Sequence, residues 1–189
     1  MKKLLLATAL LMGSSAVAIA ADSASSTISL SGTVAETCYI TSSAAQSHTY
    51  SGGGSLAHAD TAVIRDQDKD FTFGDSYCNA AFKMQLSSAN GAITSIDNGA
   101  TSATGAFASF VDYTATAQFG TTGSSITLDT SDIASTGAVE TATSPSETTG
   151  AERGTLKVNV DIDGTQQSGN PLLAGSYSDT LTVMIGTNL

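Results

Sequence analysis

Apolar and polar positions alternate along most of this chain. Ile28, Leu30, Gly32 and Val34 share one face of the first such segment, and Phe71 and Phe73 open another. Phe82, Met84 and Leu86 follow, then Val111, Tyr113, Ala115, Ala117 and Phe119, which read as the longest central strand. Leu156, Val158, Val160 and Ile162 give one more, and Tyr177, Asp179, Leu181, Val183 and Ile185 the last. Successive side chains of a strand point to opposite faces, so a period of two predicts half-buried strands. Ala89-Asn90-Gly91-Ala92 supplies a strong turn signal after the third segment. Past the N-terminus no useful length keeps the helical period. The pattern predicts an all-β chain, a sandwich of two sheets in one domain. Residues 42–62, with Ser51-Gly52-Gly53-Gly54-Ser55, and residues 130–152, a Ser/Thr/Ala tract around Pro145, are expected as long mobile loops.

The first twenty residues are of another kind. Met1-Lys2-Lys3 precedes an uncharged apolar run over residues 4–18, and Ala18-Ile19-Ala20 stands before Ala21-Asp22. Two lysines, a short apolar core and small residues at the boundary predict a cleavable secretory leader, residues 1–20. The run is short for a membrane span, Gly13-Ser14-Ser15 interrupts it, and no basic stop-transfer cluster follows. The mature protein is therefore expected to be exported with no membrane span. Without Lys2 and Lys3, five basic residues face 17 acidic ones, and the formal charge moves from −10 to −12. Such a chain repels phosphate backbones, which excludes nucleic acid as an expected partner. Trp is absent and aromatic residues make up 6%, so the core must be built from small and β-branched side chains. Two cysteines remain, Cys38 and Cys78. An even pair in an oxidising compartment, with no C-x-x-C and too few thiolates for a metal site, predicts a structural disulfide.

Taken in order, these pieces resemble a known family. The alternating strand Ile28-Ser29-Leu30-Ser31-Gly32-Thr33-Val34 is followed by Cys38, then Cys78. The chain closes with Gly175-Ser176-Tyr177-Ser178-Asp179-Thr180-Leu181-Thr182-Val183. This is similar to the subunits of chaperone–usher pili (fimbriae), and the spore-coat-U-like secreted proteins share that ending. The resemblance implies an immunoglobulin-like, pilin-type sandwich over residues 37–189 that lacks its last strand. It also implies an N-terminal extension, residues 21–36, that serves as a donor strand. Ile28, Leu30, Gly32 and Val34 would be the donor residues, with Ile28 and Leu30 filling pockets and Ala24 or Ser26 as the small residue. Gly175, Tyr177, Leu181, Val183 and Ile185 would form the acceptor edge. The implied partners are a periplasmic chaperone, an outer-membrane usher, and other copies of the chain or related subunits in a filament. The implied role is that of a structural fibre subunit in adhesion or biofilm. Asn188 departs from the pattern, since the family usually has an aromatic residue next to last. The other reading of the N-terminal alternation is an ordinary first strand of a self-complete secreted sandwich, a binding module for a surface sugar or protein.

Chemistry is sparse. Asp66, Asp68 and Asp70 imitate the start of a calcium loop, but Phe71 and Tyr77 stand where the glycine and the closing glutamate belong. His48 and His58 are the only histidines and bring no ligand partner, and Asp161-x-Asp163-Gly164 reads as a turn. No nucleophile elbow or phosphate loop is present. The sequence thus predicts a protein that is not an enzyme and carries no cofactor.

Overall fold

The computed structural model describes residues 26–41, 45–50, 55–97, 107–120, 124–132, 138–144, 148, 150–165 and 170–189. The expected leader at 1–20 and the first extension residues, 21–25, lie outside them. Contacts divide the chain into Met1–Val34 and Ala35–Leu189. In the first unit, residues 26–34 form no strand, and Ile28, Leu30 and Val34 are 81%, 91% and 87% exposed.

The second unit is all-β and antiparallel. In chain order its strands are β1 Cys38–Tyr39, β2 Gln67–Cys78, β3 Lys83–Ser88, β4 Ile93–Ser95, β5 Phe110–Val111 and β6 Thr114–Phe119. They continue with β7 Ser124–Asp129, β8 Glu140–Thr143, β9 Glu152–Ile162, β10 Tyr177–Ser178 and β11 Leu181–Gly186. One five-stranded sheet runs β1-β2-β9-β6-β7, a three-stranded sheet runs β11-β3-β8, and a small third sheet runs β10-β4-β5. The alternation of the sequence becomes an alternation of burial. Ala115, Ala117 and Phe119 of β6 and Leu156, Val158, Val160 and Ile162 of β9 face inward. They meet Phe82, Met84 and Leu86 in and beside β3, and the Phe82 and Phe119 rings touch edge-on at 5.2 Å. Alanines fill two core positions of β6, but the core is not built mainly from small and β-branched side chains as expected, since Tyr113, Phe82, Phe119, Met84, Leu86, Leu128 and Leu156 are among its largest fully buried members. β7 approaches β3 and β8 along one flank, and β1 approaches β11 along the other. Cys38 and Cys78 are directly opposed in the β1–β2 ladder and joined by a disulfide. Such a bond suits an oxidising environment. Among the described residues no helix is long and apolar enough to cross a membrane.

Three expectations change. The strand expected over 111–119 is broken, because β5 joins the small sheet while β6 starts at Thr114. At the break the buried Thr130 bonds both backbone groups of Tyr113: its Oγ1 accepts from Tyr113 N–H at 2.7 Å and donates to Tyr113 C=O at 2.9 Å. The Thr130 N–H also donates to Tyr113 C=O at 3.0 Å, so this side chain joins a backbone bond at the break. Second, the expected loop 130–152 contains β8, paired with β3 from Glu140↔Ser88 to Thr143↔Gln85. Third, the described part of 42–62 is tied down. Tyr50, Leu56 and Ala57 pack on the core, Ala57 bridges Ile64, and His58 and Val63 close a turn.

Candidate functional site at the C-terminal strand

The C-terminal segment reads as one strand in sequence and is two in space. Tyr177 and Ser178 pair with Ser95 and Thr94 in the small sheet, whereas β11 pairs with β3 from Leu181↔Ser88 to Gly186↔Lys83. Gly175 and Tyr177 therefore lie apart from the edge that carries Leu181, Val183 and Ile185. Gly175 holds φ at 150°, a backbone region that a Cβ disfavours, just before β10. Tyr177 donates its hydroxyl to Leu173 C=O at 2.7 Å, and burial pushes its phenol above the ordinary range.

Between the two strands Asp179 acts as a pin. Its Oδ2 accepts from the Ser88 hydroxyl at 2.6 Å and the Tyr113 hydroxyl at 2.5 Å. Its Oδ1 accepts from Asn90 N–H at 3.1 Å and Thr180 N–H at 2.7 Å. Ser88 and Tyr113 are buried, so these bonds fix the start of β11 to the β3–β4 turn and to the core. Burial pushes the Tyr113 phenol far up, and the Asp179 charge adds to it, so the hydroxyl stays a donor. Sequence reading placed Asp179 in the strand alternation and gave it no role. Its polar side chain at an inward position was the available signal.

β11 is an edge strand. Antiparallel neighbours exchange backbone bonds at every second residue. Ala89 N–H donates to Thr180 C=O, so Thr180 and the even-numbered residues after it face β3. The N–H and C=O groups of Leu181, Val183 and Ile185 then point away from β3, and no strand among the described residues pairs with them. The side chains of the same three residues reach the core but are only half-buried. On the same flank, among the described residues, β2 has a strand partner beyond β9 only at Tyr77 and Cys78. Along the rest of β2, Phe71 and Phe73 also remain half-buried, and the Gln46 side-chain amide donates to Thr72 C=O at 3.0 Å. An apolar floor with an unpaired backbone rim can bind an extended chain by adding it as a strand.

The acidic triplet is engaged otherwise. Asp66 accepts from Gly164 N–H at 2.8 Å, and the Asn159 amide donates to both Asp68 and Asp70 across the β2–β9 ladder. Among the described residues no group of three or more His, Cys, Asp or Glu side chains is arranged to hold a metal ion. His48 stands edge-on to the Tyr50 ring at 4.6 Å. Comparison with family models, with curated proteins and with solved structures finds no match to this chain.

Proposed function

We propose that the chain is a structural, non-catalytic subunit of a surface fibre whose edge at β11 is completed by an extended segment of another polypeptide. The observation that carries this reading is the coincidence at Leu181, Val183 and Ile185 of half-buried side chains with outward-facing backbone groups. On this reading the domain is an immunoglobulin-like pilin sandwich short of one strand. A periplasmic chaperone covers the edge first, and an usher then exchanges it for the donor segment of the next copy, residues 24–34. Ile28, Leu30 and Val34 supply the alternate apolar side chains, and they are exposed in this chain. Ala24 or Ser26 would supply the small residue that one pocket needs. Each large side chain moved from water into such a groove contributes about 1.5–3 kcal/mol before ordering costs. The contact joins two different surfaces, so it propagates as a filament rather than closing into a ring.

Leu30→Asp tests the reading, because a carboxylate in an apolar groove is costly when unpaired. The mature variant, secreted beside its wild-type counterpart, is expected to retain its disulfide and its folded spectrum while failing to form heat-resistant multimers. Wild-type-like multimers from Leu30→Asp, or a variant that cannot fold at all, would overturn donor-strand exchange.

A further inference from the structure

The chain is poor in aromatic residues, with 5 Tyr and 6 Phe. Among the described residues only Tyr39, Tyr77 and Phe107 are exposed members of that set, and two of the three stand side by side. Tyr39 and Tyr77 are opposed in the β1–β2 ladder, and Tyr77 is in turn opposed to Arg153 of β9. Side chains at opposed positions share one face of a sheet, so Tyr39, Tyr77 and Arg153 form a row across three strands. The two rings lie 5.7 Å apart and tilted by 37°, at 47% and 36% exposure. Their strands are bolted together one residue away by the Cys38–Cys78 disulfide, so the ring pair sits on a rigid base.

Beside the row the backbone departs from regular pleating. The β2–β9 register shifts between Phe73 and Ser76, and Asp75 adopts φ 52°, a region few non-glycine residues occupy. This bulge brings the Asp75 carboxylate to 4.0 Å from the Arg153 guanidinium. Bulges often re-aim a side chain beside a site. Just past the end of β6, Gly120 holds φ 66°, and a Cβ there would collide with the Glu152 side chain, which packs over it. The result is a concavity of about 590 Å³ whose walls include Tyr39, Thr41, Asp75, Tyr77, Glu152 and Arg153.

We propose that this concavity is a binding site for a neutral saccharide. Two partly exposed tyrosine rings offer an amphipathic surface for the apolar face of a pyranose ring. The adjoining carboxylate and guanidinium supply an acceptor and a fork of donors for neighbouring hydroxyls. The Asp75 carboxylate, 4.0 Å from the Arg153 guanidinium, balances its charge, which disfavours an anionic sugar. The chain is poor in aromatic residues, but two of its exposed tyrosines stand together. The site lies outside the β11 edge, and the proposal stands whether or not the chain polymerises.

The test uses the folded mature chain and a panel of galactose, mannose, N-acetylglucosamine, lactose and chitobiose. Binding is read by saturation-transfer NMR and by fluorescence, which reports tyrosine because Trp is absent. Saturable binding of at least one member is expected. Tyr77→Ala is expected to weaken it by about tenfold or more, and Tyr77→Phe to preserve most of it, because stacking needs the ring and not the hydroxyl. Arg153→Ala, at a side chain 76% exposed, leaves the fold intact and should also weaken binding. No saturable binding to any panel member overturns the proposal. So does binding that survives both Tyr77→Ala and Arg153→Ala in folded protein, or a Tyr77→Ala effect confined to self-association.

Discussion

Replacing Asp179 with alanine removes one side chain and orphans four donors. The hydroxyls of Ser88 and Tyr113 are buried at 0% and 2% exposure, so water cannot readily take the place of the carboxylate. Leaving a buried donor unsatisfied costs about 1–3 kcal/mol, and bonds to a charged acceptor sit at the upper end. The Asn90 and Thr180 N–H groups lie nearer the surface and add less. Counting the two buried hydroxyls fully and allowing for relaxation, Asp179→Ala should destabilise the domain by about 3–5 kcal/mol. That is a large part of the roughly 5–15 kcal/mol available to a domain of this kind. Tyr113→Phe removes only one donor and should cost less than half as much. The two changes share one network, so the double variant should be less destabilised than the sum. Urea melts of the oxidised mature protein, with both single variants and the double, measure all three. Hydrogen exchange should at the same time show faster opening of β11 than of β9 in Asp179→Ala. A cost under about 1 kcal/mol, or strict additivity with Tyr113→Phe, would show that the pin is dispensable.

Replacing Cys38 and Cys78 together by alanine should lower stability by roughly 2–5 kcal/mol, because the bond closes a loop with a sequence separation of 40; thiol labelling of the denatured, unreduced wild type should find no free thiol. Asp161 gives a pH test. Burial, then the charges of Asp68, Asp163 and Asp66, raise its carboxyl above the ordinary range. The folded state thus holds this proton more tightly than the unfolded chain, and the group's contribution to stability falls as pH rises through that interval. Asp161→Asn should therefore melt higher than wild type at pH 7, with the gain vanishing below the ordinary aspartate value of about 3.9 and shrinking in high salt. Asp163, held low by the Thr165 hydroxyl and N–H, works in the opposite sense and loses its contribution on acidification. A lower melting temperature for Asp161→Asn at pH 7 would contradict the assignment.

The all-β class was legible because burial on one face writes itself as period two, and β3, β6, β9 and β11 carry that period in large or repeated apolar residues. β8 was not legible: Glu140-Thr141-Ala142-Thr143 turns only one small apolar side chain, Ala142, toward the core. β7 offers Ile126 and Leu128 inward and was readable in principle, but its six residues lie among serines and threonines that resemble the loops. The breaks at Tyr113 and Asp179 were hidden because both residues occupy correct positions in an alternation. What ends each strand is a polar partner distant in sequence, Thr130 in one case and Ser88 in the other. For the same reason the half-exposed edge was legible only as a set of apolar positions. Which backbone groups lack a neighbour is a property of sheet order, and sheet order is not written in period. The Tyr39–Tyr77–Arg153 row escaped similarly, because its members come from three strands that meet only on folding.

The place of the disulfide also decides where a mechanical load would travel. Cys38 is the first residue of β1, and Cys78 is the last of β2. A pull transmitted through the residues before Cys38 enters the covalent bond at once and bypasses the segment from 39 to 66. It arrives at the end of β2, whose ladder with β9 runs from Cys78↔Glu152 to Gln67↔Ile162. A load directed along that ladder is borne in shear, by many hydrogen bonds at the same moment, rather than by unzipping them one at a time. In the reduced protein the same pull would instead peel the two-residue β1 away and lengthen the chain through the residues the bond had kept out of circuit.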